Sequence, residues 1–162
     1  MSIHNLFIRR ADGSVEAASS QDVLTAARAV LAHRVRRGAL LQSPQQVGEY
    51  LTMRLGHLDY ECFGLILLDG RHRVIDCVEL FRGTIDGAAV YPREVVRLAL
   101  DKRAAAAVAY HNHPSGVNEP SAADELITKK LVQALSAIEV RLLDHLVLAG
   151  SEVLSFAQKG LL

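Results

Sequence analysis

The sequence predicts an α/β domain in which helices flank a mixed β-sheet. Apolar runs of strand length alternate with segments whose apolar residues recur at helical spacing. Two of these runs, 61–68 and 73–81, are separated by the turn-forming stretch DGRH, which predicts an antiparallel hairpin. The chain has 162 residues, and 50% of them are hydrophobic, so it can form one domain with a buried core.

The elements before this hairpin are predicted from caps and spacing. Residues 1–18 are expected to be an irregular or hairpin-like lead. The segment after Ser20 has helical apolar spacing, with Ser20 as the expected N-cap and Gly38 as the stop. Ser43 is expected to cap a second helix, which has a proline in its first turn and ends before Gly56.

The second half of the chain alternates helices with strands. Residues 92–102 have helical spacing. The Ala-rich run 104–113 has helical propensity, but we interpret it as a buried strand because the two basic residues before it are typical of a helix end. The longest helix signal covers 121–138, and strands are predicted over 139–149 and 152–157.

Composition narrows the function classes. Eighteen Lys and Arg residues balance eighteen Asp and Glu residues, so the chain has no overall positive charge to attract nucleic acid. We interpret the basic cluster Arg34, Arg36 and Arg37 as a solvated helix face rather than a binding patch.

No signal peptide or membrane span is predicted, so we expect a cytoplasmic protein. Cys62 and Cys77 are expected to be packed thiols.

The stretch AYHNHPSGVNEPSAADELI, residues 109–127, places many polar side chains after an apolar strand. Because alternate residues of a strand share a face, His111 and His113 are expected to present two imidazoles side by side. Prolines and a glycine then turn the chain into the next helix. Ser121 is the expected N-cap of that helix, and Asp124 in its first turn directs a carboxylate toward the helix start. Two nitrogens and one oxygen are therefore expected to converge.

Three protein ligands with an open fourth position are typical of a catalytic zinc site. Glu61, at the start of an apolar strand, is the candidate group to accept a proton from water that zinc acidifies. Each feature alone also has a simpler interpretation: an incidental polar loop for the histidines, a plain capping pair for Ser121 and Asp124, and a solvated side chain for Glu61. The Asp144-His145 dipeptide is interpreted as a buried hydrogen-bonded pair rather than a second metal site.

Taken together, these residues resemble a known motif. They are similar to the JAMM motif of JAB/MPN-domain metalloproteases. The stretches HNHPSG, PSAAD and LLDHLVL resemble most closely the RadC-like branch, a bacterial family traditionally labelled DNA repair protein RadC. The motif residues are Glu61, His111, His113, Ser121 and Asp124.

The resemblance has implications for the fold and for the site. It implies a single JAB/MPN-like, cytidine-deaminase-like domain over residues 42–162. Residues 1–41 then form a lead segment and helix, in a short form without the helix-hairpin-helix region of longer RadC proteins. For the site it implies His111, His113 and Asp124 as zinc ligands, Glu61 as the general acid and base, and Ser121 as the hydroxyl that stabilises the oxyanion.

The activity implied by the resemblance is that of a zinc-dependent metallopeptidase or isopeptidase, which hydrolyses an amide bond of a peptide or protein. The alternative is a DNA repair or DNA-associated accessory protein whose metal site is not catalytic. In that case the basic segment 34–37 would contact phosphate. The balanced charge does not indicate nucleic acid as a partner, and no membrane association is predicted.

Overall fold

A five-stranded mixed β-sheet with helices on both faces organises the chain, as the sequence predicts. The computed structural model describes residues 6–41, 43–83 and 89–162, with the backbone alone for Arg34. The elements in chain order are β1 (Phe7–Arg9), β2 (Val15–Ala17), α1 (Ser20–Arg34), α2 (Pro44–Leu55), β3 (Cys62–Leu68), β4 (Val74–Arg82), α3 (Pro92–Asp101), β5 (Ala106–Asn112), α4 (Ala122–Ser136), β6 (Arg141–Ala149) and β7 (Glu152–Ser155).

The strand order of the sheet is β4-β3-β5-β6-β7. Strands β5 and β6 run parallel, and every other neighbouring pair is antiparallel. Since parallel neighbours require a crossover, α4 connects β5 to β6 across one face of the sheet. This β5-α4-β6 unit places the C-terminal end of β5 next to the start of α4, where ligands commonly bind in sheets of this kind.

The two faces of the sheet pack against different helices. On one face, Cys62, Ile66 and Leu68 of β3 join a core with residues of α2. On the other face, Phe63, Leu65 and Leu67 join a core with residues of α3 and α4. Strand alternation therefore brings the residue two positions before Phe63 toward the face that carries α3 and α4.

The helix caps agree with the sequence except at α1. Ser43 accepts a hydrogen bond from Gln46 N and caps α2 as predicted. The prediction that Ser20 caps α1 is wrong by one residue, because Ser19 is the N-cap. Asp22 lies three residues after Ser19, so its carboxylate can accept a bond from Ser19 N and complete a capping box.

Other expectations are also resolved. The lead segment contains the short antiparallel hairpin β1-β2. Cys62 and Cys77 are free thiols, as expected, with Cys62 buried and Cys77 partly buried. Within the described part of the chain, no helix is both long and apolar enough to cross a membrane.

Gly64 is required where the buried Tyr110 crosses β3. A Cβ at position 64 would lie 2.3 Å from the Cζ and the hydroxyl oxygen of Tyr110 and 2.5 Å from the Val78 carbonyl oxygen. Tyr110 has no exposed surface and Val78 O is backbone, so neither neighbour can move aside. We predict that Gly64→Ala lowers the free energy of unfolding by at least about 2 kcal/mol, measured by urea denaturation.

Gly70→Ala is the matched control for this prediction. Gly70 lies in the turn between β3 and β4, and a Cβ there meets nothing within 4 Å. The unfolding free energy of Gly70→Ala is expected to stay within about 0.5 kcal/mol of wild type. Equal stability of the two variants would contradict the packing described around Tyr110.

Candidate metal centre

The predicted ligand residues meet at the C-terminal end of β5. His111 lies in β5, and His113 directly follows it, with its backbone N–H bonded to Leu148 O so that the pairing with β6 continues. Both imidazoles therefore lie on the face that carries α4, where Asp124 occupies the first turn. The β5-α4 connection returns the chain to this point, so three side chains from two elements share one place.

The ligand atoms are close enough to share one ion. His111 Nε2 lies 3.0 Å from His113 Nε2 and 3.2 Å from Asp124 Oδ1, and His113 Nε2 lies 3.4 Å from Asp124 Oδ2. Two atoms bound to one tetrahedral zinc at about 2.0–2.1 Å lie roughly 3.3 Å apart. The spacing, the two imidazoles and the carboxylate thus fit a divalent ion. The structure confirms the convergence that the sequence predicts.

Asp124 is a helix-capping residue and a candidate ligand at once. Its Oδ2 accepts hydrogen bonds from Ser121 N at 2.7 Å and from Ser121 Oγ at 2.6 Å, while Ser121 Oγ accepts from Asp124 N at 3.1 Å. Its Oδ1 faces His111. Oδ2, the capping oxygen, also lies 3.4 Å from His113 Nε2. The capping interpretation and the ligand interpretation are compatible, because the cap uses Oδ2 and leaves Oδ1 available to a metal ion.

The charges at the site favour an ionised carboxylate. Burial alone would raise the pKa of Asp124, but its interactions with His111 and His113 and the hydrogen bond from Ser121 outweigh burial and hold that pKa well below its usual range. The hydrogen bond between His113 and Asp124 raises the pKa of His113, although partial burial lowers it. The Val117 carbonyl and the charge on Glu61 also raise the pKa of His113. Asp124 is thus a negatively charged candidate ligand at neutral pH.

Glu61 and Ser121 lie at the same cavity as the three candidate ligands. The cavity has a volume of about 510 Å³. Glu61 immediately precedes β3, on the face predicted by strand alternation, and its charge reaches His113. The cavity wall is otherwise apolar for much of its extent. Further lining residues are Phe63, Val90, Val117, Glu119, Leu126 and Lys130.

Thr128 and His145 lie behind the candidate ligands, and the sequence does not predict the contact of His145 with His111. His145 Nε2 lies 2.8 Å from His111 Nδ1, and His145 Nδ1 lies 2.6 Å from Thr128 Oγ1. Burial above all, and then the neighbouring His111, lowers the pKa of His145 well below its usual value. A histidine inside the apolar stretch LLDHLVL was a signal for such a role, but the spacing alone did not show that it faces His111.

Asp144 and His145 do not act as a side-chain pair. Asp144 Oδ2 accepts a hydrogen bond from Ser155 Oγ at 2.6 Å, and its Oδ1 accepts bonds from the backbone N–H groups of His145 and Ala157. Both residues are buried and hydrogen-bonded as expected, with different side-chain partners. Asp144 anchors the end of β7, whereas His145 contacts the ligand histidine.

The basic segment after α1 does not contribute to this cavity. Arg36 and Arg37 are exposed, as expected for a solvated face, and neither lines the cavity. The side chain of Arg34, the third member of the cluster, lies outside the described residues.

Comparison with known proteins gives concordant matches. A family model described as "RadC-like JAB domain" matches residues 41–161. A "UPF0758 protein" of Shewanella amazonensis is 52% identical over 148 residues, which are 91% of this chain and 66% of that relative. "UPF0758 protein" relatives of Shewanella oneidensis and Shewanella baltica are 51% identical over the same shares. The chain spans just under two thirds of the length of these relatives.

Asp124 also generates a pH-dependent stability. Its pKa is depressed in the folded state relative to about 3.9 in an unfolded chain, so its contribution is complete above that value and is lost as the pH falls toward the folded-state pKa. In metal-free protein, Asp124→Asn is expected to lower the free energy of unfolding by about 2 kcal/mol at neutral pH. The difference from wild type should shrink as the pH falls below about 4 in urea denaturation.

Glu125→Gln is the matched control for this experiment. Glu125 lies in the same helical turn, and its ion pair is an exposed one with Lys129 at 3.8 Å. Its removal should change the unfolding free energy by less than about 0.5 kcal/mol at any pH in the series. A difference between Asp124→Asn and wild type that does not vary with pH would contradict the electrostatics described for the site.

Proposed function

Because the chain belongs to the RadC-like JAB domain family, we propose that it is a zinc-dependent hydrolase that cleaves an amide bond of a peptide or protein. One observation carries the proposal: three candidate ligand atoms converge at a cavity that Glu61 also lines. A ligand set with room for a further group, beside an acidic side chain, is the arrangement that metal-assisted hydrolysis requires. The role of each residue follows from its position.

The chain's own groups suit this role. His111, His113 and Asp124 would hold the zinc ion. When bound there, zinc supplies a Lewis acid that acidifies water and polarises the carbonyl of an amide. Asp124 is ready as a ligand because its depressed pKa keeps it ionised at neutral pH. His113 donates Nδ1–H to Val117 O at 2.8 Å, which leaves its Nε2 to face the site.

Glu61 would transfer the proton in this reaction. Two observations support this role: Glu61 lines the cavity that the three candidate ligands also line, and its charge acts on His113. It would accept a proton from the attacking water and donate that proton to the nitrogen that leaves, so one group acts as base and then as acid. Glu119 also lines the cavity, and we assign it no role in proton transfer.

Ser121 would stabilise the negative oxygen that develops on the amide carbonyl. Ser121 lines the cavity at the N-terminus of α4, where the helix presents a partial positive charge. Its hydroxyl proton is shared with Asp124 Oδ2 at 2.6 Å, so it would turn from the carboxylate to the substrate oxygen. The apolar part of the cavity wall would hold side chains of the peptide on either side of the cleaved bond.

The test is cleavage of a peptide library by zinc-loaded protein, with Glu61→Gln as the variant. New N-termini are identified by labelling and mass spectrometry. The wild type is expected to generate them at defined sequences. Glu61→Gln should bind zinc as the wild type does and cleave at least about 100-fold more slowly, because it retains the ligands and lacks the proton acceptor.

Glu119→Gln is the matched control, because it removes a carboxylate from the same cavity. It should retain cleavage within about threefold of wild type, since Glu119 has no proposed role in proton transfer. Cleavage by Glu61→Gln at the wild-type rate would exclude Glu61 from the reaction. Absence of new N-termini with zinc-loaded wild type would contradict the hydrolase proposal itself.

A further inference from the structure

We infer that Thr128 and His145 set the tautomer of His111, so that the Nε2 atom of His111 presents a lone pair to the metal site rather than an N–H. The inference rests on the proposed function only in treating His111 as a metal ligand. Thr128 and His145 are therefore positioning residues, which act through His111 and do not contact the substrate. We assign the directions of the hydrogen bonds that link them from the bond that Thr128 donates to a backbone carbonyl.

Donors and acceptors can be assigned from one end of the hydrogen-bond chain, which is a backbone carbonyl. Thr128 Oγ1 lies 2.6 Å from the carbonyl oxygen of Asp124, which can only accept, so the hydroxyl of Thr128 donates its single proton there. His145 Nδ1 lies 2.6 Å from the same hydroxyl oxygen. Because the hydroxyl has no second proton, His145 must donate Nδ1–H to it.

The next step assigns the proton-bearing ring nitrogen of His145 and then that of His111. His145 has no exposed surface and lies between the rings of Phe63 and Phe156, at centroid distances of 5.7 and 4.9 Å. A charged imidazole is costly in such surroundings, so His145 carries one proton, on Nδ1, and a lone pair on Nε2. That lone pair accepts Nδ1–H of His111 at 2.8 Å. A neutral His111 then has its lone pair on Nε2.

The two candidate ligand histidines thus have the same tautomer, with the proton on Nδ1, but different hydrogen-bond partners stabilise it. His113 donates Nδ1–H directly to a backbone carbonyl, that of Val117, which no side-chain substitution removes. His111 depends on a chain of three hydrogen bonds that ends at the carbonyl of Asp124, itself a candidate ligand residue. The chain therefore ties the orientation of a β5 ligand to the backbone of the α4 ligand.

Removal of the Thr128 hydroxyl is expected to reverse the direction of the hydrogen bond between His145 and His111. His145 Nδ1–H would then be buried without an acceptor, which is unfavourable. The other neutral tautomer of His145 avoids this cost by placing its proton on Nε2, from which it donates to His111 Nδ1. His111 must then carry its proton on Nε2, where it blocks the metal. Thr128→Val removes the hydroxyl at nearly constant shape and should produce this reversal.

The first readout is zinc affinity, measured by competition with a chromophoric chelator. Thr128→Val is expected to bind zinc about 10- to 100-fold more weakly than wild type. Thr128→Ser retains the hydroxyl, so its zinc affinity should stay within about threefold of wild type. Thr25→Val is the matched control. Thr25 makes the same bond to the carbonyl four residues earlier, at 2.8 Å from Gln21 O, on an exposed part of α1 with no histidine attached.

The second readout is the tautomer itself, from ring ¹⁵N chemical shifts of metal-free protein. Wild-type His145 should be protonated at Nδ1 and unprotonated at Nε2, and Thr128→Val should show the opposite. Wild-type His145 protonated at Nε2, or wild-type zinc affinity in Thr128→Val, would overturn the inference. The wild-type spectrum decides even where a variant fails to fold. Wild-type protein that binds no zinc would instead overturn the proposed function, and the tautomer result would stand separately.

Discussion

The structure depends on the close approach of three groups that repel one another unless a proton or a metal ion lies between them. Two imidazole nitrogens and a carboxylate lie 3.0 to 3.4 Å apart, and His111 and Asp124 are buried. Lone pairs at such distances in a site with little solvent are stabilised by a shared proton or by a metal ion. The strand register, the helix cap and the residues behind the ligands all act to maintain this arrangement.

The same local motif in another part of the chain shows why neighbours, rather than motifs, determine function. Ser19 and Asp22 form a capping box at the start of α1, with the same bonds as Ser121 and Asp124 at the start of α4. Asp22 is paired with Arg10, at 3.1 Å, and is a surface residue. Asp124 instead faces two imidazoles, and this difference converts a helix cap into a candidate ligand.

Much of the fold and of the site could be predicted from the sequence, for physical reasons. Apolar periodicity separates strands from helices, and strand alternation places His111 and His113 on one face. The cap of α1 was misplaced because Ser19 and Ser20 are adjacent and the choice depends on the distance to Asp22. The role of His145 depends on its alignment with Ala109 on the neighbouring strand, a tertiary register that the spacing of residues does not encode.

The most direct test of the account is a crystal structure of the zinc-loaded protein with anomalous data at the zinc absorption edge. We expect one strong anomalous peak, bonded to His111 Nε2, His113 Nε2 and an oxygen of Asp124, with His145 still in contact with His111 Nδ1. A peak bonded through Nδ1 of either ligand histidine, or zinc bound only elsewhere on the protein, would contradict it.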